Sequence, residues 1–280
     1  MKELFDMISR ESSKMTTTTY STSFSLGIKF FSKKFHDPIY AIYGFVRFAD
    51  EIVDSFHGYD KPKLLKRFAA DTYQAIEEGI SLNPILNNFQ ATVNKYKIEL
   101  ELIDLFLRSM EMDLTKKVYE TADEYKEYIL GSADVVGLMC LRVFCEGNEE
   151  KYQELKPRAM RLGSAFQKIN FLRDLKADHY GLGRTYFPGV NMDQFNDTEK
   201  KKIEVDIQKD FEEALIGIKQ LPKGAKFGVY VAYVYFYALL KKIRRLPAER
   251  ILNERVRISD PAKYMLLFSS LLRYRLGFLN

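Results

Sequence analysis

The chain has 280 residues, of which 46% are hydrophobic and 29% are charged. This is ordinary for a globular protein that buries its core without disulfide or metal supports. The net charge of +5 is spread along the sequence, whereas nucleic-acid binding is typically accompanied by a concentrated basic stripe, so we predict no nucleic-acid partner. The three histidines and two cysteines form no zinc-ligand pattern, which excludes zinc chemistry.

Helical spacing of apolar residues dominates the chain, and only 15 glycines and 8 prolines interrupt it. We therefore predict an all-α protein with a single domain over residues 1–280. Capping residues, N1 prolines and terminal glycines suggest where the helices begin and end. In chain order, the predicted helices are 2–15, 38–56, 61–78, 84–95, 99–117, 123–146, 150–153, 157–180, 195–219, 224–246 and 260–276.

The longest apolar run without a charge, Phe227 to Leu240, has 14 residues, fewer than the ~20 that a membrane-spanning helix needs. Charged residues interrupt the N-terminal segment, so we expect no signal peptide, and we expect no C-terminal membrane anchor. The cysteines Cys140 and Cys145 are expected to be reduced thiols. We predict a cytoplasmic protein, with peripheral contact at the inner face of the membrane as an option, and either a monomer or a homodimer.

The predicted helix from Pro38 is apolar nearly all round, yet it carries several charged residues. At 100° per residue, Tyr43, Arg47, Asp50 and Asp54 fall on one stripe, whereas Glu51 points away from it. Two carboxylates one turn apart on a buried helix repel each other and lose hydration. They stay ionised only if a cationic group lies between them.

The predicted helix from Pro157 repeats this arrangement. Gln167, Asn170, Asp174 and Asp178 form one stripe, and Arg173 lies beside it. If the two helices face each other, four carboxylates surround one oxygen-rich cavity that suits Mg²⁺ bound together with substrate phosphates. The arginines could then bind a diphosphate. A single Asp-x-x-x-Asp pair also occurs on solvated helix faces, so the inference depends on both pairs together.

Four weaker patterns each allow two interpretations. The hydroxyl-rich run that ends at Ser25 would either contact phosphate or cap a helix. The small residues of segment 131–137 admit a prenyl chain or a neighbouring helix. The aromatic stretch 227–237 lines an apolar tunnel or fills the core. The arginines of segment 244–257 contact an anionic membrane or phosphate, or form a solvated face.

Five segments together resemble the motifs of the squalene/phytoene synthase family, in that family's order. They are Ser21–Phe24 (STSF), Ala41–Asp54 (AIYGFVRFADEIVD), Gln167–Asp178 (QKINFLRDLKAD), Gly183–Pro188 (GRTYFP) and Arg255–Ser259 (RVRIS). The resemblance implies the all-α isoprenoid-synthase helical bundle with a central active-site cavity. It also implies a prenyltransferase that joins two allylic diphosphates head to head.

Carried over position by position, the resemblance implies a role for each matching residue. The implied catalytic residues are Asp50, Asp54, Asp174, Asp178 and Tyr43. The implied Mg²⁺ ligands, with Mn²⁺ as a substitute metal, are Asp50, Asp54, Asn170, Asp174 and Asp178. The implied diphosphate-binding residues are Ser21, Ser23, Arg47, Gln167, Asn170, Arg173, Arg184 and Arg255. Glu51 and Asp134 depart from the pattern of many relatives, and the resemblance gives neither of them a role.

The segment 131–140 (GSADVVGLMC) is most similar to bacterial phytoene synthases. The expected reaction is therefore Mg²⁺-dependent condensation of two geranylgeranyl diphosphates to phytoene through a cyclopropylcarbinyl diphosphate, as in carotenoid biosynthesis. The alternative is a squalene or dehydrosqualene synthase that uses farnesyl diphosphate. Two other prenyl diphosphate enzymes are less consistent with the sequence. A terpene cyclase would carry a different second acidic motif, and a chain elongator would carry two adjacent aspartates; neither feature is found.

Overall fold

The computed structural model describes residues 1–191 and 194–279, without the side chains of Thr22, Ser23 and Leu182. This part of the chain is built from α-helices and two π-helical turns, and its only strand-like pairing is a bridge between Val118 and Thr185. The predicted all-α class is confirmed. The α-helices are α1 Lys2–Tyr20, α2 Thr22–Ile28, α3 Lys33–Asp54, α4 Lys61–Glu78, α5 Pro84–Tyr96, α6 Leu100–Thr115, α7 Ala122–Ile129, α8 Val135–Cys145, α9 Glu149–Lys176, α10 Asp197–Gln220, α11 Lys223–Arg244, α12 Ala248–Asn253 and α13 Asp260–Arg275; the turns are π1 Leu130–Asp134 and π2 Ala177–Leu182.

The two acidic helices belong to different halves of the packing and share α8 as a neighbour. Helix α3 packs against α1, α5, α6 and α8, whereas α9 packs against α8, α10, α11 and π1. Stacked rings of Phe45 and Phe89, with centroids 4.0 Å apart, fix α3 on α5, and Phe106 of α6 joins them. Burial of large rings between helices is the main stabilising contribution here.

Two of the three prolines that were predicted to start helices, Pro38 and Pro157, lie inside them, whereas Pro84 does begin α5. Helix α3 begins at Lys33, five residues before Pro38, and α9 runs from Glu149 through Pro157, so the separate predicted helix 150–153 does not exist. The N1 preference of proline is outweighed by packing. Phe35 is fully buried against Phe144, and burial of Tyr152 extends α9 in the same way.

The predicted helix 123–146 is interrupted by π1, and the predicted helix 157–180 ends in π2. At Gly131 in π1, an added Cβ would lie 2.6 Å from the carbonyl oxygen of Leu105, so only glycine allows α6 to approach this closely. The short helices α2 and α12 were not predicted. Ser21 caps α2 by accepting a hydrogen bond from the amide of Phe24 at 3.2 Å.

The segment Ala122–Cys145 is long and apolar enough to cross a membrane, with a mean hydropathy of 1.6. In this fold 61% of its most apolar window is buried. Val135, Leu138 and Met139 are among its fully buried side chains. The hydropathy of this segment is therefore accounted for by its place in the core.

Candidate active site

The stripe predicted on α3 is present, and all four of its members are half-buried. The guanidinium of Arg47 pairs with the carboxylate of Glu51 and lies 4.3 Å from the ring centre of Tyr20. Burial, followed by the nearby charge of Asp54, raises the pKa of Asp50 to about 7, and Arg47 opposes this shift. Glu51, which points off the stripe, thus forms an ion pair with Arg47, the residue that could otherwise neutralise Asp50.

The second acidic stripe lies at the C-terminal end of α9 and in π2. Asp174 is held by two arginines: Arg173 Nε lies 3.1 Å from Oδ1, and Arg255 Nε lies 2.6 Å from the same oxygen. Burial raises the pKa of Asp178 to about 7, and the charges of Asp174 and Asp54 add to that shift. The contribution of Asp54 places the α3 carboxylates within electrostatic range of the α9–π2 carboxylates.

Arg184 joins the two stripes directly. Its backbone amide donates to the carbonyl oxygen of Asp178 at 2.8 Å, while its Nη1 lies 3.1 Å from Asp54 Oδ1 and 3.7 Å from Asp113 Oδ1. The side chain is only 8% exposed. Arg184 therefore lies between the two acidic motifs, with its side chain on Asp54 and its backbone on Asp178, and we call the surroundings of these residues the polar pocket.

Two residues of this pocket were missed in the sequence. Asp113 of α6 is almost fully buried, and the hydroxyl of Tyr128 in α7 donates to both of its carboxylate oxygens, at 2.9 and 3.0 Å. Burial raises the pKa of Asp113 to about 7. A signal did exist, because Asp113 continues the apolar stripe of Phe106 and Met110, both buried. An acid on the inward face of an apolar helix needs a partner.

Within residues 1–191 and 194–279, no three His, Cys, Asp or Glu side chains converge closely enough to hold a metal ion by themselves. Arginines pair with Asp54 and Asp174 instead. Asn170, one turn before Asp174, nevertheless has a buried Oδ1 for which the described residues supply no hydrogen-bond partner. An unsatisfied amide oxygen beside carboxylates fits a hard cation such as Mg²⁺, which prefers oxygen ligands and keeps several waters.

Next to the polar pocket lies an apolar cavity of about 250 Å³. Gln167, one turn before Asn170, lines it, and other wall residues on α9 extend back to Leu155, a distance of ~18 Å along the helix. Small residues widen it: Ala133 and Gly137 lie on its wall. The large rings of the wall are Phe24, Phe31, Phe144 and Phe166. A polar pocket that continues into an apolar cavity suits an amphiphile with a charged head and a hydrocarbon tail.

The remaining predicted residues have mixed placements. Ser21 caps α2 and also hydrogen-bonds to Tyr43, so the cap interpretation holds for this residue and phosphate contact stays a prediction. The side chain of Ser23 lies outside the described part of the chain. On α11, Phe236 stacks on Phe166 at 4.0 Å and Tyr233 packs on Phe211, so these rings belong mainly to the core.

Asp134, the departure in π1, belongs to a buried polar cluster behind the cavity wall. Ser164 Oγ donates to its Oδ1 at 2.8 Å, and Lys168 pairs with Asp210 at 2.7 Å nearby. Burial raises the pKa of Asp134 to about 7, while Ser164, Lys168 and Arg161 oppose the shift and Asp210 adds to it. The ordinary value is near 4, so the unfolded chain releases this proton at lower pH than the folded chain. Stability is consequently lost as pH rises from about 4 to 7.

The variant Asp134→Asn removes this ionisation and should be more stable than the parent at pH 8, by about 2 kcal/mol or ~4–8 °C in melting temperature. At pH 4.5 the difference should nearly vanish. Thermal unfolding at both pH values measures it, with Asp71→Asn on the exposed face of α4 as the control. A variant less stable than the parent at pH 8 would contradict the assigned burial cost.

Comparisons with known proteins identify the family of this chain. The model of the squalene/phytoene synthase family matches residues 17–261. Phytoene synthase 1 of the Solanum lycopersicum chloroplast is 27% identical over 243 residues, which are 80% of this chain and 58% of that protein. Phytoene synthase of Arthrospira platensis is 24% identical over 291 residues, covering 95% of this chain and 94% of that protein.

A solved dehydrosqualene synthase superimposes with a TM-score of 0.83 at 19% identity and covers 97% of this chain and 98% of its own. The fold is therefore the all-α isoprenoid-synthase fold. The chain belongs to the squalene/phytoene synthase family, whose members are prenyltransferases.

Proposed function

We propose that the protein catalyses head-to-head (1′–1) condensation of two geranylgeranyl diphosphates to phytoene, with a cyclopropylcarbinyl diphosphate as intermediate and Mg²⁺ as cofactor. The observation that carries the proposal is the contact set of Arg184, whose side chain pairs with Asp54 and whose backbone amide donates to the carbonyl oxygen of Asp178. The C20 substrate is supported by the relatives in tomato and Arthrospira that are named phytoene synthases.

The carboxylates and the amide oxygen of the pocket would hold the metal. These ligands are Asp50, Asp54, Asn170, Asp174 and Asp178. When bound, Mg²⁺ neutralises the diphosphate leaving group without proton transfer. Arg47, Arg173, Arg184 and Arg255 would pass from the carboxylates that they now contact to the diphosphate oxygens, because planar guanidinium groups bind phosphate in bidentate fashion.

The prenyl chains would react inside the apolar cavity. In the first half, the C–O bond of one substrate breaks, the double bond of the second attacks, and one diphosphate and one proton leave. In the second half, the intermediate loses its own diphosphate and, after rearrangement, a second proton. The apolar wall keeps water from the allylic cation, and the ring of Tyr43, stacked on Phe24 at 5.1 Å, offers its face to positive charge.

The direct experiment incubates the purified protein with C15 or C20 diphosphate, with and without Mg²⁺ and with and without NADPH, and identifies the extracted lipids. We expect phytoene from the C20 substrate with Mg²⁺ and without NADPH, two diphosphates released per product, and no turnover after chelation. Squalene or dehydrosqualene from the C15 substrate alone would replace the proposed substrate with farnesyl diphosphate. Diphosphate release that is unaffected by chelation would refute the proposed chemistry.

Chain length is a second accessible test. Ala159 lines the cavity on α9, so Ala159→Phe adds a ring to the space that the hydrocarbon tail would occupy. We expect kcat/KM for the C20 substrate to fall at least about tenfold, and more than for the C15 substrate. Ala70→Phe on the exposed face of α4 is the matched control. Equal losses for both substrates would contradict the placement of the tail.

A further inference from the structure

The C-terminal helix α13 presents an uncovered apolar face. Six large apolar side chains are between 52% and 73% exposed; they are Tyr264, Met265, Phe268, Leu272, Leu276 and, just after the helix, Phe278. At 100° per residue, the first five lie within a stripe about 120° wide. We call these six residues the α13 stripe. An exposed patch of this density on a folded protein marks an interaction surface.

The opposite face of α13 holds the helix in place. Ser270 is buried, the ring of Tyr274 lies 4.9 Å from that of Phe227 on α11, and Leu279 is almost fully buried. Lys226 Nζ reaches the carbonyl oxygen of Leu279 at 3.4 Å. The α13 stripe is thus oriented outward by packing on its other side, and none of the described residues covers it.

Charge indicates what could cover the stripe. Residues 261–279 contain Lys263, Arg273 and Arg275 and no acidic residue. Arg275 lies within the angular range of the stripe, and the exposed Arg273 lies about 60° beyond its edge. Lys263 pairs with Asp260 at the start of the helix, at 2.9 Å. Apolar side chains bordered by arginines are typical of helices that lie in the interface of an anionic bilayer.

Three of the five arginines of segment 244–257, the other predicted contact with an anionic membrane, are engaged within the protein. Arg244 Nη2 donates to the carbonyl oxygen of Glu204 at 2.9 Å, Arg250 pairs with Glu254, and Arg255 pairs with Asp174. Arg273 and Arg275, by contrast, form no ion pair with a described residue and lie on the helix that carries the exposed apolar side chains.

A second copy of the chain fits the stripe less well than a bilayer does. Two-fold pairing through the same surface would bury Arg275, which lies within the stripe, against residues 261–279 of the other copy, and these contain no acid to neutralise it. Helix α1 also exposes apolar residues, such as Leu4 and Ile8, but it has no excess of positive charge. Its three basic residues, Lys2, Arg10 and Lys14, are balanced by three acidic residues, Glu3, Asp6 and Glu11.

We propose that the α13 stripe docks the protein on a bilayer that contains anionic lipids, with its apolar side chains in the interface and Arg273 and Arg275 at the headgroups. The proposal concerns a surface outside the catalytic pocket and does not depend on which prenyl substrate is used. Its test needs no prenyl diphosphate, so its failure and that of the proposed function are separable.

The test measures partition of the full-length protein onto vesicles of phosphatidylcholine alone or with 30% phosphatidylglycerol, at low and high salt. We expect at least tenfold stronger binding to the anionic vesicles, with most of the difference lost at high salt. Phe268→Gln with Leu272→Gln, and separately Arg273→Gln with Arg275→Gln, should each lower partition at least tenfold. The arginine pair replaces no apolar packing, which keeps the test informative if the first variant folds poorly.

The matched control is Leu4→Gln with Ile8→Gln on α1, which should bind as the parent does. Equal binding of parent and α13 variants would overturn the proposal, as would equal binding to neutral and anionic vesicles. Sedimentation gives the other decisive outcome: a parent dimer that the α13 variants dissociate would assign the stripe to a second copy of the chain.

Discussion

Replacing Asp50 or Asp174 by asparagine is expected to lower turnover of prenyl diphosphate by about a thousandfold, equivalent to ~4 kcal/mol of transition-state stabilisation. Each change removes one negative charge from the pocket that would hold Mg²⁺ and keeps the size of the side chain. The rate of diphosphate release at saturating substrate measures the turnover of each variant. Asp71→Asn on the exposed face of α4 should leave turnover unchanged.

The thermal stability of the Asp50→Asn variant shows whether a loss of turnover comes from a lost metal ligand or from a damaged fold. Because burial raises the pKa of Asp50 to about 7, its carboxylate costs stability once it is ionised, above that pH. Asp50→Asn should therefore melt at the same or a higher temperature than the parent at pH 8, although it is inactive. Turnover close to that of the parent in both aspartate variants would remove these residues from the proposed mechanism.

Replacing Arg184 by methionine should have the second large effect, on both activity and stability. The side chain is nearly buried and contacts Asp54 and Asp113, so its loss leaves two carboxylates without their cation. Breaking a buried pair in this way typically costs 3–5 kcal/mol. Because burial raises the pKa of Asp113 to about 7, the cost should be smaller at pH 5.5, where that acid is protonated, than at pH 8.

Thermal unfolding at pH 5.5 and pH 8 tests this pH dependence, and Arg184→Lys should recover part of the stability but little activity, since lysine lacks the planar fork. Arg10→Met, which breaks an exposed pair with Asp37, is the matched control and should change stability by less than about 1 kcal/mol. Equal destabilisation by Arg184→Met at both pH values would show that packing, and not charge, fixes the loop after π2 that carries Arg184.

The two acidic stripes could be predicted because helical spacing alone places their members on one face. Asp113 and Tyr128 could not be joined to them in the same way. They come from α6 and α7, and the approach of Asp113 to Arg184 depends on how helices distant in sequence pack. The pairing of Arg47 with Glu51 was missed for a different reason: an arginine can turn toward either carboxylate of its own helix, and no spacing rule selects one.

Helix boundaries show a similar division. The caps at Asp60 and Asn83 lead directly into α4 and α5 as observed, because local hydrogen bonds decide these boundaries. Pro38 and Pro157 misled the prediction because packing of distant rings extended both helices past them. The turn π1 is equally non-local, since it depends on the approach of α6 to Gly131.

The most direct measurement is a crystal structure of the protein grown with Mn²⁺ and a non-reactive prenyl thiodiphosphate, with anomalous scattering to locate the metal. The proposed function predicts Mn²⁺ peaks between α3 and the α9–π2 segment, liganded by carboxylates of both and by the diphosphate, with the prenyl chain in the apolar cavity. Metal bound to only one of these helices, or a diphosphate held elsewhere on the surface, would contradict it.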